Sequence, residues 1–303
     1  MSDSTLLPNL FVIGAPRCGT TSLHDWLVAH PTIGGCSVKE PFYLADRDSS
    51  EFVPQRNFHD HGWAGYESLL SHCRDASLRL ESTTGYLYGE TALRELSRLS
   101  PIPRFVVVLR EPVSRLVSTY RYFIGHKGAI PEGWSFSDFV EAVDGGDERI
   151  ASNEFLRDAF DQGCYARHLD RWRAAVGAGQ IQILLLEQMQ RSPQLVVPEL
   201  VRWCGVDGGW YDRYDWPHRN ESYSLKFPRL HRWVRQKLLP LVKNDAMKRR
   251  LRPLYVRFAG GKERPLSERD RLTMEQLRER YSEPNERLAR EWAIDLSLWG
   301  RRR

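Results

Sequence analysis

Short apolar runs rich in β-branched residues alternate with segments of helical periodicity along the first two thirds of the chain. Arg104–Leu109 (RFVVVL) is the clearest run, and Asn9–Ile13, Leu78–Leu80 and Ile181–Leu186 are similar. Apolar strands that are separated by helices indicate a parallel sheet that is covered on both faces. The predicted fold class is therefore α/β, with a central parallel sheet flanked by helices.

Helices are predicted between these strands, from apolar residues at helical spacing and from proline and glycine near their ends. The predicted helices are Thr20–His30, Thr91–Leu99, Val113–Phe123 and Pro193–Cys204. The segment Pro131–Asp147 contains a Gly-Gly pair and several acidic residues, which predicts a surface excursion around one short helix.

The composition fits one globular domain over residues 1–303. A chain of 303 residues with 41% hydrophobic and 27% charged residues can bury a large core and is not disordered. No apolar run approaches the ~20 residues that span a bilayer. The first residues contain an acid, no basic cluster and only a short apolar stretch, so no secretory signal is expected. The five cysteines are widely spaced and odd in number, which favours reduced thiols and a cytoplasmic location.

The net charge of +5 is unevenly distributed. Between residues 219 and 264 there are fourteen Lys or Arg and three Asp or Glu, an excess of eleven. Three interpretations of this segment stay open: a helical face that covers the core, a lid over a bound nucleotide, or a docking element. In the third, residues 230–250 contact an anionic acceptor or a membrane surface. No nucleic-acid recognition motif accompanies the charge, so no nucleic-acid partner is expected.

A glycine-containing turn, GAPRCGTT, stands at residues 14–21 between the first predicted strand and its helix. Backbone N–H groups at such a helix N-terminus form an anion site, to which Arg17 adds a charged donor. The nucleotide-triphosphatase loop requires Lys and then Ser or Thr after the second glycine, for phosphate and magnesium; here Thr20 follows Gly19 directly. The turn therefore predicts a phosphate-bearing ligand with no metal, and an ordinary tight turn is the alternative.

Arg110 directly follows the strand RFVVVL, and the helix after it carries Ser118. In an open parallel sheet, ligands bind outside the carboxyl ends of the strands. Arg17 and Arg110 are therefore predicted at the same edge. Ser118 reaches a phosphate there only if its helix flanks the crevice. A nucleotide with phosphates at two separate places would use both elements.

These segments resemble the nucleotide-binding motifs of sulfotransferases. FVIGAPRCGTTSLHDWLVAHP is similar to the 5′-phosphosulfate loop, and VVVLREPVSRLVSTYRYF is similar to the 3′-phosphate motif. Further matches follow in order: VKEPFYL, ESTTGYL, GCYARHLDRW, IQILLLEQM, NESYSLKFPRLHRW and YSEPNERLAREWAIDLSLW. The resemblance covers residues 9–299 and points to bacterial sulfotransferases related to the heparan sulfate sulfotransferase domain. It implies a three-layer P-loop-like fold.

The resemblance also implies a co-substrate, 3′-phosphoadenosine 5′-phosphosulfate (PAPS), with adenosine 3′,5′-bisphosphate as product and no metal requirement. The positions that match the 5′-phosphosulfate loop are Arg17, Cys18, Gly19, Thr20, Thr21 and Ser22. Arg110 and Ser118 match the residues that hold the 3′-phosphate, and Lys226 or Arg229 is expected to contact it from a later loop.

The catalytic groups implied by the resemblance are Glu40, Lys39 and Arg17. Glu40 is expected to take the proton of the acceptor, Lys39 to donate to the sulfuryl oxygens, and Arg17 to stabilise charge on the leaving group. A solvated surface pair is the alternative for Lys39-Glu40.

Glu81 and Tyr86 are expected to line the acceptor cleft, with a core position as the alternative for Tyr86. Ser82 stands where relatives of the heparan sulfate type have Lys, which weakens the expectation of an anionic sugar.

The predicted function is transfer of a sulfuryl group to a hydroxyl or amine of a small-molecule, lipid or carbohydrate acceptor. One alternative is a P-loop nucleotide kinase or phosphotransferase. The other is a non-enzymatic protein that binds polyanions or a membrane surface through residues 219–264.

Overall fold

The computed structural model describes residues 6–216, 224–225, 260–261 and 265–300. These residues form two compact units. Among them, the first unit contains 6–111, 164–216 and 282–300, and the second contains 112–163, 224–225, 260–261 and 265–281. Lys226, Arg229 and most of the basic segment 219–264, including 230–250, lie outside the described residues. A single domain over 1–303 stays a prediction.

A five-stranded parallel sheet forms the centre of the first unit. Its strands are β1 (Leu10–Gly14), β2 (Ile33–Gly35), β3 (Leu78–Ser82), β4 (Arg104–Leu109) and β5 (Ile181–Leu185). They lie in the order β2-β3-β1-β4-β5. Every residue of β1 is buried, as the apolar sequence predicts. The four predicted strands are present; β2, only three residues long, was not predicted.

Thirteen α-helices occur in the described residues. They are α1 (Thr20–Val28), α2 (Phe58–His61), α3 (Glu67–Leu70), α4 (Glu90–Leu96), α5 (Pro112–Tyr122), α6 (Phe136–Asp144), α7 (Glu148–Ala151), α8 (Glu154–Arg157), α9 (Tyr165–Val176), α10 (Leu186–Arg191), α11 (Pro193–Trp203), α12 (Glu268–Arg280) and α13 (Ser282–Trp292). The predicted helices correspond to α1, α4, α5 and α11, with ends that differ by at most three residues. A single helix of more than one turn, α6, lies within 131–147, as predicted.

The helices of the first unit flank both faces of the sheet. The connection from β1 through α1 runs towards the β2 edge, whereas those through α4 and α9 run towards β5. Because parallel crossovers are right-handed, connections in opposite directions lie on opposite faces. The predicted α/β fold, with helices on both sides of a parallel sheet, is confirmed. The direction reverses between β1 and β4, and ligands of such sheets bind at the carboxyl end of this switch point.

The C-terminal helix α13 packs on α9 in the first unit through Asp170. The carboxylate of Asp170 accepts from Arg173 and from Arg287, each at 2.6 Å, and from Trp292 Nε1 at 3.2 Å. Leu288 of α13 is buried in the core. Half-exposed ion pairs contribute little free energy individually, so the buried leucine stabilises the contact and the charges fix its register.

Two polar anchors hold the second unit together. The carboxylate of Asp270 caps α12 by accepting from Ser267 N at 2.9 Å, and it also accepts from Ser137 N of α6 at 2.9 Å. Arg115 of α5 is fully buried and donates to Ala159 O and to Gln162 Oε1. In the same unit, Ser224–Leu225 pairs antiparallel with Gly260–Gly261.

Candidate functional site

The turn between β1 and α1 has backbone conformations that are unfavourable for most residues other than glycine. Ala15 N donates to Val108 O at 2.8 Å, which extends the pairing of β1 with β4. Arg17 (φ 68°) and Gly19 (φ 83°) then adopt left-handed conformations. A Cβ on Gly19 would lie 2.4 Å from Leu186 Cδ1, so a larger residue needs the leucine side chain to move and also has a strained φ.

The N-terminus of α1 is open towards a ligand. Gly19 supplies no side-chain cap, and no acidic residue lies in the first turn. The N–H groups of Thr20 and Thr21 precede any helical carbonyl that could accept from them, and the helix dipole places positive charge there. The hydroxyl of Thr21 is on an exposed side chain, whereas Thr20 is buried. This arrangement suits an anion such as a phosphate.

Arg110 joins the predicted 3′-phosphate motif to this turn. It follows β4 directly, and its Nη1 donates to the backbone carbonyl of Arg17 at 3.3 Å. Its own carbonyl accepts from Tyr165 Oη at 2.8 Å. The structure thus brings Arg17 and Arg110 together at the carboxyl edge of the sheet, where the sequence places them.

Three residues that support Arg110 are not identified by the sequence reasoning. Besides Tyr165, Glu187 accepts from Glu111 N at 3.1 Å through Oε1 and from Trp299 Nε1 at 3.0 Å through Oε2. All three supporting residues lie in segments that resemble sulfotransferases, namely GCYARHLDRW, IQILLLEQM and AREWAIDLSLW. The resemblance to sulfotransferases is therefore the feature of the sequence that could identify these three residues, although it assigns no function to them.

Cys18 and Ser22 face the protein rather than the open end of the turn. The Cys18 side chain is fully buried, and its Sγ lies 3.9 Å from Tyr165 Oη. Ser22 is buried, and its N–H donates to Gly19 O at 3.1 Å. Their part in cofactor binding stays a prediction.

Glu40 lies beside the carboxyl end of β3. The chain leaving β2 continues along β3, because Cys36 N donates to Leu80 O at 2.9 Å and Glu40 N donates to Ser82 O at 3.1 Å. Glu40 has a left-handed backbone with φ 55°. Its Oε1 accepts from Lys39 Nζ at 3.0 Å, and the Glu40 and Lys39 side chains are 35% and 25% exposed. Lys39 and Glu40 are therefore accessible to solvent, and the hydrogen bond from Glu40 N to Ser82 O fixes their position at the edge of the sheet.

Two further contacts fix the segment that carries Glu40. Arg56 donates to Pro41 O from Nε at 3.3 Å and from Nη2 at 3.2 Å. Leu44 N donates to Tyr86 Oη at 2.9 Å. Together with the bond from Cys36 N to Leu80 O, these contacts hold the segment before and after Glu40.

Glu81 and Tyr86, predicted to line the acceptor cleft, have side chains that are 0% and 2% exposed. Glu81 Oε1 accepts from Thr83 Oγ1 at 2.8 Å. Burial raises the pKa of Glu81, and the hydroxyls of Tyr66, Thr83 and Tyr86 act against this rise. Burial also raises the pKa of Tyr86 well above its usual value. Both residues take core positions, and contact with an acceptor stays a prediction for them.

A buried histidine, His24 of α1, accompanies these groups. His24 Nδ1 and Ser82 Oγ share a hydrogen bond of 2.8 Å. The pKa of His24 is lowered to about 4, first by burial and then by the Lys39 ammonium, against the opposing charges of Asp25 and Glu40. The imidazole is therefore neutral near pH 7. The sequence gives no signal for this contact, which depends on the packing of α1 against β3.

Ser118 lies on α5 in the second unit, where it is buried. Its predicted contact with a 3′-phosphate stays a prediction. Within the part of the chain that the structure describes, no group of three His, Cys, Asp or Glu side chains could hold a metal ion.

The model of the sulfotransferase domain family matches residues 7–214, more than half of the chain. The chain belongs to the sulfotransferase family. This membership confirms the resemblance, and members of the family are transferases that use PAPS. It gives no support to the kinase or the non-enzymatic alternative.

Two human sulfotransferases illustrate the relationship. The bifunctional heparan sulfate N-deacetylase/N-sulfotransferase 3 is 26% identical over 224 residues, 73% of this chain and 24% of the relative. The heparan sulfate glucosamine 3-O-sulfotransferase 3B1 is 27% identical over 173 residues, 56% of this chain and 39% of the relative. The chain thus spans about a quarter to two fifths of the length of these relatives.

Among solved structures, a sulfotransferase from Alicyclobacillus acidocaldarius has the same fold. The TM-score is 0.69 with 22% sequence identity, and the alignment covers 97% of this chain and 99% of that one. Within the described residues, no helix is both long enough and apolar enough to cross a membrane. All five cysteines are described and free of disulfides.

Proposed function

We propose that the chain transfers a sulfuryl group from PAPS to a hydroxyl or amine of a small-molecule, lipid or carbohydrate acceptor. The observation that carries the proposal is the hydrogen bond between Arg110 and the carbonyl of Arg17. It joins the two elements that the family resemblance assigns to the phosphates of PAPS, at the switch point where ligands of such sheets bind.

The residues present fit such a ligand. The open first turn of α1 offers N–H donors, Gly19 keeps the approach free of a side chain, and Arg17 and Arg110 add two positive charges. Thr20 and Thr21 would hold the 5′-phosphosulfate from this turn, and Arg110 would hold the 3′-phosphate. None of these donors requires a magnesium ion, and we propose that the reaction needs no metal.

When bound, PAPS supplies the sulfuryl group, and adenosine 3′,5′-bisphosphate leaves with the electron pair of the broken S–O bond. Glu40 takes the proton of the acceptor hydroxyl or amine as the new bond to sulfur forms. Lys39, whose Nζ lies 3.0 Å from Glu40 Oε1, would donate to the sulfuryl oxygens. Arg17 stabilises the charge that grows on the leaving oxygen, an interaction stronger in the transition state than in the ground state.

The acceptor is proposed to be weakly charged near the reacting group. The two human relatives are named for heparan sulfate, an anionic carbohydrate. In this chain Ser82, rather than Lys, follows Glu81, and its hydroxyl is bonded to the neutral His24. A cation for an anionic sugar is therefore lacking at this position. A cytoplasmic location completes the proposal, since none of the five cysteines forms a disulfide.

The donor site is tested by calorimetric titration with adenosine 3′,5′-bisphosphate in the presence of a chelator. Binding without magnesium is expected, and Arg110→Ala should weaken it about tenfold to a hundredfold, because charged hydrogen bonds contribute ~1.5–3 kcal/mol. Arg104→Ala is the matched control, since Arg104 starts the same strand and packs over Trp203. Binding of ATP with magnesium, but not of the bisphosphate, would refute the proposal.

The base is tested with radiolabelled PAPS and three acceptors: an N-acetylated oligosaccharide, a phenol and a long-chain alcohol. Glu40→Gln should lower turnover by ~10²-fold or more and leave bisphosphate affinity unchanged. Wild-type turnover in this variant would remove Glu40 from the role of base.

A further inference from the structure

We propose that His24 is a positioning residue for Glu40. Through Ser82, it fixes the left-handed backbone of Glu40 beside the carboxyl end of β3. This inference rests on the proposed role of Glu40 as the base. It assigns a function to a buried histidine that the sequence motifs leave without one.

The contacts form a continuous path through the first unit. His24 Nδ1 and Ser82 Oγ are 2.8 Å apart, and the carbonyl of the same serine accepts from Glu40 N at 3.1 Å. Ser82 is 1% exposed and His24 is 8% exposed, so the hydrogen bond between their side chains is shielded from water. The side chain of Ser82 is therefore hydrogen-bonded to His24, and its backbone carbonyl is hydrogen-bonded to the amide of Glu40.

The backbone of Glu40 needs such support. A non-glycine residue with φ 55° lies in the left-handed region, where its Cβ is crowded by the backbone. It persists only where surrounding contacts impose it, and such residues are concentrated at functional sites. If Ser82 moves, the Glu40 amide loses its acceptor and the loop can relax to an ordinary conformation, which turns the carboxylate away.

His24 also connects the base to the donor loop. It lies on α1 four residues after Thr20, and therefore on the same face of the helix one turn later. The first turn of α1 is the proposed phosphosulfate site. One rigid helix thus sets the position of the donor at its N-terminus and, through His24 and Ser82, the position of Glu40.

The test compares His24→Leu, which removes the hydrogen bond, with His24→Asn, whose amide can replace Nδ1. Exchange of the Glu40 amide with deuterium is measured in the free full-length protein. About tenfold faster exchange is expected in His24→Leu and Ser82→Ala, with near wild-type exchange in His24→Asn. His30→Leu is the control, because His30 is also buried, at 4% exposure, but its Nε2 is hydrogen-bonded to Asp207 O at 3.1 Å.

The second readout is transfer of the sulfuryl group from PAPS to water, which needs no identified acceptor. His24→Leu should lower kcat about tenfold, because small displacements of a catalytic group are costly. The affinity for adenosine 3′,5′-bisphosphate should stay within about twofold, and His24→Asn should restore most of kcat. Equal losses in His24→Leu and His24→Asn, or in His24→Leu and His30→Leu, would overturn the positioning role.

The two readouts separate this inference from the proposed function. If Glu40→Gln retains turnover, the role of base is wrong, while the exchange experiment still reports whether His24 holds the Glu40 backbone. Wild-type exchange of the Glu40 amide in both His24→Leu and Ser82→Ala would refute the inference whatever the base is.

Discussion

Acid should destabilise the protein through one imidazole, that of His24. Its pKa is lowered from 6.5 to about 4, first by burial and then by the Lys39 ammonium, against Asp25 and Glu40. Because the unfolded state binds the proton more tightly, unfolding becomes easier as the pH falls from about 6.5 towards 4. The full shift corresponds to roughly 3 kcal/mol, and about 2 kcal/mol of this is lost at pH 5.

The assay is urea unfolding of the wild type and of His24→Asn, at about pH 7.5 and about pH 5. The variant lacks the titrating group, so its free energy of unfolding should fall by about 2 kcal/mol less than that of the wild type. Urea unfolding of Lys39→Met at the same two pH values is a second test. Loss of the ammonium raises the pKa of His24, so this variant should also lose less stability on acidification than the wild type.

The reasoning is refuted if His24→Asn and the wild type lose the same free energy between the two pH values. A larger loss in the variant would also contradict it, since that sign requires a histidine pKa raised by folding. The measurement involves no nucleotide or acceptor, so its outcome is independent of the proposed reaction.

Three further predictions concern stability. Gly19→Ala should cost about 2 kcal/mol or more in urea unfolding, and Leu186→Ala should recover part of this in the double variant; additive effects would contradict the clash. Asp270→Ala should cost about 2 kcal/mol, from the lost helix cap and the lost contacts to Ser137, and an unchanged midpoint would contradict its role as an anchor. Trp299→Phe keeps a ring but removes the N–H donor, so a loss of about 1 kcal/mol is expected, and wild-type stability would show that the hydrogen bond is immaterial.

The meeting of Arg17 and Arg110 could be predicted from the sequence. Both follow buried strands, and the carboxyl ends of parallel strands share one edge, so strand identity alone places the two side chains. The strands themselves are evident because β1 is apolar throughout and β4 is apolar after Arg104.

The pairing of His24 with Ser82 could not be predicted in this way. It depends on which helix face packs against β3, and on a three-residue strand, β2, that is too short to give a pattern. Helix α12 was also missed, because only Asp270 and Leu277 of its residues are buried and no apolar stripe results. Glu81 and Tyr86 take core positions because residues distant in the sequence pack around them. The spacing of residues within a motif does not show which distant residues these are.

The left-handed backbone at Arg17 and Glu40 has a consequence for laboratory evolution. Glycine adopts these φ values without the steric cost that Arg and Glu incur. A library screened only for heat resistance or expression should therefore favour glycine at positions 17 and 40, since glycine removes the backbone strain and stabilises the fold. The variants selected by such a screen would be more stable but would lack the Arg17 and Glu40 side chains that the proposed reaction needs. A screen of this chain therefore has to measure bisphosphate binding and turnover as well as thermal resistance.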